Sequence, residues 1–253
     1  MRKNELAAQL YTVRDFLKTR RDIVTSFRKI KTIGFDAVQM TTCMLAMPET
    51  ELAQILSDEG LICCATGEPG KAIVEEPARI AARLATLGCK HTTYPYPHRP
   101  LKSEDDYRQL AKELENAGRV LAETGCVLSY HNHALEFERF GGRTGLEIIY
   151  AETNPDYVKA EIDTYWVQYG GGDPVAWCKK LSGRLPLIHL KEFGIIESQI
   201  HMLEIGNGNL DWKSIIGAAR KAGTEWFIIE QDVCRSDPFD SLKMSVEYLS
   251  CAI

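Results

Sequence analysis

Apolar positions along the chain recur with two alternating periods. Short runs of apolar or β-branched residues, the pattern of buried strands, keep giving way to stretches in which apolar residues return every three or four positions, as on one helix face. "LAAQLYT" precedes "DIVTSFRKIKTIGF", where Ile23, Phe27 and Ile30 share a face and Gly34 is placed to end the helix. "DAVQM" precedes "PETELAQILSDEG", opened by Pro48 and closed by Gly60. The alternation continues through "LICCATG" and "EEPARIAARLATLG", then "CKHTTYPYP" and "SEDDYRQLAKELENAGRVLAETG", then "CVLSYHNH" and "TGLEIIYAETN". It closes with "YVKAEID" and "DPVAWCKKLSG", "LPLIHLKE" and "LDWKSIIGAARKAG", and "EWFIIEQD" and "DPFDSLKMSVEYLSCAI".

Eight strand-helix pairs in 253 residues, without a Pro/Gly/Ser-rich linker or a shift in composition, predict one domain over 1–253, an α/β fold of the (β/α)8 TIM-barrel type. An open doubly wound sheet needs a glycine-rich first turn, and "YTVRDF" stands there instead. In a barrel, the chemistry sits where strands end and βα loops begin.

Composition narrows the class. With 45% hydrophobic and 26% charged residues the chain can bury a large core. No run approaches the roughly 20 apolar residues of a membrane helix, and "MRKNELAAQLYTVRD" has no cleavage pattern, so a cytoplasmic location without membrane association is expected. Of the eight cysteines, Cys63 and Cys64 are adjacent and the rest are scattered without metal-type or redox-type spacing; they read as reduced, mostly buried small hydrophobes. A net charge of −5, with no basic run beyond "KTRRD", argues against a nucleic-acid partner.

The last four strands end on ionisable groups: "YHNHALEFE", "AEID", "IHLKE" and "IIEQD". The first four deliver mainly Gln9, Tyr11, Gln39, Tyr94 and Tyr96. With Ile188 and Leu190 turned outward, strand alternation turns His189 and Lys191 inward, along with Glu161, Asp163, Glu230 and Asp232. Carboxylates facing one another across a barrel mouth repel unless a cation sits among them. A divalent metal bound by carboxylates and one imidazole relieves that repulsion; ion pairs through Lys191 are the plainer alternative. "IGNGNLDW" reads as a tight turn into a helix, with phosphate binding as the lesser reading.

Taken in order, "QLYTVRD", "YHNHALEF", "EIDTYW", "GGDP", "HLKE", "GNGNLDW" and "EQD" resemble the xylose isomerase-like TIM-barrel superfamily of sugar phosphate isomerases and epimerases, over essentially the whole chain. The resemblance implies one divalent ion held by a Glu, an Asp, a His and a Glu from strands 5 to 8, here Glu136, Asp163, His189 and Glu230. Ser129 occupies the place where many relatives carry the strand-5 glutamate, which directs the assignment to Glu136, with His133 as the other candidate. Gln39 stands where relatives commonly carry a glutamate.

Such a ligand set suits Mn²⁺, with Mg²⁺, Co²⁺ or Zn²⁺ as alternatives. The implied chemistry is isomerisation or epimerisation of a sugar, sugar phosphate or inosose by removing a proton next to a carbonyl, through a metal-stabilised enediolate. Glu136, Glu230 and His133 are the expected catalytic groups; His131, Lys191, Trp166, Gln9 and Tyr11 are the expected contacts to a small carbohydrate. A lyase, dehydratase or keto-glycoside-cleaving enzyme using the same ion is the alternative, and a non-catalytic sugar-binding or partner subunit the third reading. The pattern is compatible with a homo-oligomer.

Overall fold

The computed structural model describes residues 5–252, so residues 1–4 and 253 of the expected unit lie outside it. Its centre is a closed barrel of eight parallel strands in which each strand pairs with its neighbours in sequence: β1 (Leu6–Gln9), β2 (Ala37–Met40), β3 (Ile62–Gly67), β4 (His91–Tyr94), β5 (Val127–His131), β6 (Val158–Asp163), β7 (Leu187–Leu190) and β8 (Trp226–Ile229). The ring closes where Leu6 of β1 lies beside Phe227 of β8. Outside it run α1 (Arg20–Ile33), α2 (Glu49–Asp58), α3 (Pro77–Leu87), α4 (Glu104–Ala122), α5 (Gly145–Ala151), α6 (Pro174–Lys180), α7 (Trp212–Ala222) and α8 (Pro238–Ala252). The expected TIM barrel is therefore present. Among the described residues no helix is long and apolar enough to cross a membrane.

The helices begin and end where local chemistry dictates. Thr19 caps α1 by accepting from the Asp22 amide, and Gly34 closes it in the left-handed region at φ 118°, as its position in the sequence predicts. Ile23, Phe27 and Ile30 of α1 are fully buried against the barrel. In α4, Ser103 caps and three acids occupy the first turn, where the helix dipole favours them. Gly118 lies so near the next segment that a Cβ there would come within 2.1 Å of the Tyr157 carbonyl oxygen; only glycine lets α4 seat this closely.

Two features add to the regular alternation. The "YHNHALEFE" segment leaves β5 after His131 and makes a single 3-10 turn at Leu135–Phe137, which removes everything beyond His131 from the strand's face alternation. Between β7 and α7 an antiparallel hairpin is inserted, Glu192–Ile196 against Gln199–Leu203, turning at Glu197 and Ser198 with positive φ.

The "GNGN" turn after this hairpin encloses the chain's own Glu192. That buried carboxylate accepts from the amides of Phe193 at 3.1 Å, Gly206 at 2.9 Å and Leu210 at 3.1 Å, and from the Trp212 indole. A Cβ on Gly208 would stand 2.5 Å from Glu192 Oε1. The turn reading holds, and the amides that could have cradled a phosphate already face an internal anion.

Candidate active site

At the C-terminal ends of the strands lies a cavity of about 300 Å³. Its wall combines neutral hydrogen-bonding groups (Gln9, Gln39, Thr41, Thr42, Thr93) and the rings of Tyr11, Tyr96 and His133 with a charged floor of His131, Glu161, His189, Lys191, Glu230 and Asp232. Of the expected substrate contacts, Gln9, Tyr11, His131 and Lys191 line it. Trp166 is not among the lining residues. It packs 5.4 Å from the His133 ring, with Lys191 Nζ 5.6 Å from its own centre.

The strand register assembles the floor. His131 lies beside Glu161 across β5 and β6, and Asp163 lies beside His189 across β6 and β7. Among the described residues one group could hold a metal ion: His131, Asp163, His189 and Glu230, all buried, each offering one donor atom, with these atoms all within 4.8 Å of one another. Asp163 is oriented by its own local structure. It caps the short helix Thr164–Tyr169, so Oδ1 accepts from the Trp166 amide at 2.9 Å and Oδ2 is left facing Lys191 Nζ and His189 Nδ1.

Glu136, expected as the strand-5 ligand and a catalytic base, is not in this group. Its carboxylate is fully buried, accepts from the Tyr130 hydroxyl at 2.7 Å and from the His133 amide at 2.8 Å, and is pushed above the usual carboxylate range by burial. The physical reason is parity. Tyr130 points to the helix side of β5 and His131 to the lumen, and the 3-10 turn carries Glu136 back to the Tyr130 side. His131, two residues beyond Ser129 on the same strand face, stands in its place. His133, the other candidate for strand 5, is also outside the group. It lies on the cavity wall, with Nδ1 buried and without a hydrogen bond.

The electrostatics follow from how much charge is buried. Lys191 is 1% exposed, with Nζ 2.7 Å from Glu230 Oε2, 2.9 Å from Asp163 Oδ2 and 3.0 Å from Asp232 Oδ1. Burial opposes its charge, but the three carboxylates outweigh this and hold it well above the ordinary lysine range. Burial likewise opposes ionisation of Glu230, and Lys191 with His189 overcomes it, so the carboxylate falls well below its usual range. His189 is pushed up to about 10 against the cost of burial by Glu161 and Glu230. His133 is lowered to about 2, first by burial and then by His131 and Lys191, which makes it a neutral ring at physiological pH.

Glu161 and Gln39 complete the floor. Gln39 donates from Nε2 to Glu161 Oε1 at 2.9 Å, and its Oε1 lies 2.6 Å from His189 Nε2. The sequence marks Glu161 as inward-facing, but these contacts join positions 122 and 150 residues apart and leave no local signature.

The xylose isomerase-like TIM barrel family model matches residues 27–250. Inosose dehydratase from Lacticaseibacillus casei is 27% identical over 175 residues, a stretch covering 61% of this chain and 57% of that protein. The chain thus spans little more than half the length of this curated relative. A sugar phosphate isomerase/epimerase structure from Parabacteroides distasonis ATCC 8503 superposes with a TM-score of 0.86 at 21% identity, covering 100% of this chain and 95% of that one. An L-ribulose 3-epimerase structure superposes with a TM-score of 0.72 at 15% identity, covering 97% and 93%.

Proposed function

The chain belongs to the xylose isomerase-like TIM-barrel family, and on that premise we propose that it is a divalent-metal-dependent enzyme removing the proton beside the carbonyl of an uncharged polyhydroxylated substrate. The observation that carries this reading is the convergence of His131, Asp163, His189 and Glu230, three of which (His131, His189 and Glu230) line the cavity. Three buried polar atoms here have no hydrogen-bond partner: His131 Nδ1 and Glu161 Oε2, which face each other at 3.5 Å, and Asp163 Oδ2, which faces Lys191 Nζ at 2.9 Å and His189 Nδ1 at 3.8 Å. A buried carboxylate oxygen without a hydrogen bond, beside Glu230 and His189, is an environment a cation stabilises. Two imidazoles with two carboxylates are a less oxygen-rich set than the three carboxylates expected from sequence, and favour Mn²⁺, Co²⁺ or Zn²⁺ over Mg²⁺. When bound, the ion would supply Lewis acidity toward a carbonyl oxygen and its neighbouring hydroxyl.

The chain's own groups do the rest. Glu230 is ionised on the cavity floor and accepts the proton; Lys191, an ammonium 2.7 Å from it, returns one. Glu230, Asp232 and Lys191 stand on adjacent strand ends, so proton transfer is one-sided. Inversion at a carbon needs transfer groups on both faces, and Glu136, the expected second base, is turned toward Tyr130. One-sided transfer suits isomerisation between neighbouring carbons or loss of a β-hydroxyl, with Lys191 protonating the departing oxygen. Of these we favour the second, and likeness to inosose dehydratase supports it. Epimerisation remains a reading only through His133, the ring on the cavity wall.

Among the described residues lining the cavity the sole Lys or Arg is Lys191, already paired with three carboxylates, so a phosphate finds no free cation. The substrate is therefore a ketose, inosose or keto-glycoside without phosphate. Mn²⁺-loaded protein incubated with these compounds and with ketose phosphates in deuterated water tests the reading. Exchange at one carbon of an unphosphorylated compound is expected, with or without water loss; exchange confined to the phosphates would overturn it.

A further inference from the structure

Each imidazole of the cluster faces a partner outside the cluster, and the two partners are joined. Gln39 Nε2 donates to Glu161 Oε1 at 2.9 Å and to Thr93 Oγ1 at 3.3 Å, while Gln39 Oε1 lies 2.6 Å from His189 Nε2. An ionised carboxylate only accepts, so the amide nitrogen must face Glu161 and the amide oxygen must face His189. His189 then carries a proton on Nε2. This leaves Nδ1, 2.9 Å from Glu230 Oε2 and 3.8 Å from Asp163 Oδ2, as the nitrogen turned to the ion position.

The second oxygen of Glu161 is buried, without a hydrogen bond, and 3.5 Å from His131 Nδ1. A proton on that nitrogen leaves Nε2 of His131 for an ion. Glu161 is 0% exposed, and its ion pairs are with the two imidazoles. A buried carboxylate without Lys or Arg is a poor device for stability, and two histidines that must each present one chosen nitrogen supply a better reason for it.

We propose that Glu161 and Gln39 are positioning residues that set the tautomers of both imidazole ligands, Glu161 acting on His131 and, together with the Gln39 amide that bridges them, on His189 Nε2, 3.4 Å from Glu161 Oε1. The inference rests on the reading of His131, Asp163, His189 and Glu230 as the ion-holding set. It also accounts for an amide at position 39. A glutamate there would set two carboxylates against each other, and one would have to hold a proton to leave His189 the same acceptor.

The test is nitrogen NMR on ¹⁵N-histidine-labelled protein loaded with Zn²⁺, with Zn²⁺ and Mn²⁺ affinities measured by competition against a chelator. The wild type is expected to show His189 bound through Nδ1 with a proton on Nε2, and His131 the reverse. Gln39→Leu and Glu161→Gln should each lower affinity about 10- to 100-fold and disturb these resonances. Gln39→Glu restores an acceptor to His189 and should recover part of the loss, which keeps the test informative if Gln39→Leu folds poorly. The opposite tautomers, or variants that melt earlier yet bind both ions as tightly as the wild type, would overturn the inference and leave the proposed function standing. A wild type that binds neither ion would overturn both.

Discussion

The Glu136 carboxylate accepts a 2.7 Å hydrogen bond from the hydroxyl of Tyr130, the residue beside His131 but on the opposite face of β5. This bond separates Glu136 from His131, two of the acidic and basic groups that the "YHNHALEFE" segment could have offered to an ion. Glu136→Ala is expected to keep Mn²⁺ affinity within a few-fold while destabilising the fold by about 1–3 kcal/mol, because the Tyr130 hydroxyl and His133 amide lose their acceptor. His131→Ala should do the reverse, losing more than about 100-fold in Mn²⁺ affinity with a smaller effect on melting. Electron paramagnetic resonance titration of Mn²⁺ beside thermal melts distinguishes them.

Lys191 holds three carboxylates together. Lys191→Met leaves Asp163, Glu230 and Asp232 facing one another without their shared cation, a change expected to cost about 3–5 kcal/mol in the absence of divalent ions. Added Mn²⁺ should recover much of that loss, so the ion-dependent rise in Tm should be larger in the variant than in the wild type. Equal rises would show that the ion does not share this carboxylate cluster.

His133 is a neutral ring on the cavity wall, packed between Tyr96 and Trp166. With proton transfer carried by Glu230 and Lys191, His133→Ala should retain the ion and lose less turnover than the roughly 10²- to 10⁴-fold that removal of a general acid or base costs. His133→Gln, which keeps hydrogen-bonding capacity without a titratable ring, should recover activity if the ring is a substrate contact and should not if it transfers protons. Single-turnover rates on the two variants give the answer.

Away from the cavity, His91 at the start of β4 is 1% exposed, and burial lowers its pKa despite Glu225 at 3.4 Å. Its folded pKa lies below the unfolded value of about 6.5, so the unfolded chain binds a proton that the folded one resists. The stability it confers is therefore complete above about pH 6.5 and lost as pH falls below that value. His91→Gln should flatten the decline in Tm between about pH 7 and pH 5.5, as read from parallel melts across the series.

The barrel was legible because each βα unit carries local signals: Gly34, Gly88 and Gly223 end helices in the left-handed conformation, and strand ends carry their charge on the lumen face. Asp163, His189 and Glu230 follow from the same parity and come together as expected. Glu136 misleads because the sequence does not announce the 3-10 turn that reverses its side; alternation alone, carried from Ser129 to His131, points to the histidine. Gln39 reads as a departure from relatives when seen along the chain, and its contacts with Glu161 and His189 emerge only on barrel closure. The hairpin at Glu192–Ile196 was hidden because its strands carry no clean alternation, with Ile195 and Ile200 paired and both exposed.

The enclosure of Glu192 has a consequence for how this part of the molecule opens. One carboxylate ties the root of the hairpin to the Gly206 and Leu210 amides and to the Trp212 side chain at the start of α7, so separating any one of them leaves a buried negative charge short of donors. The root, the return loop and the first turn of α7 then behave as one cooperative unit: their amides exchange with solvent at a common rate, and the hairpin tip with Ile195 and Ile200 frays independently, at a faster one.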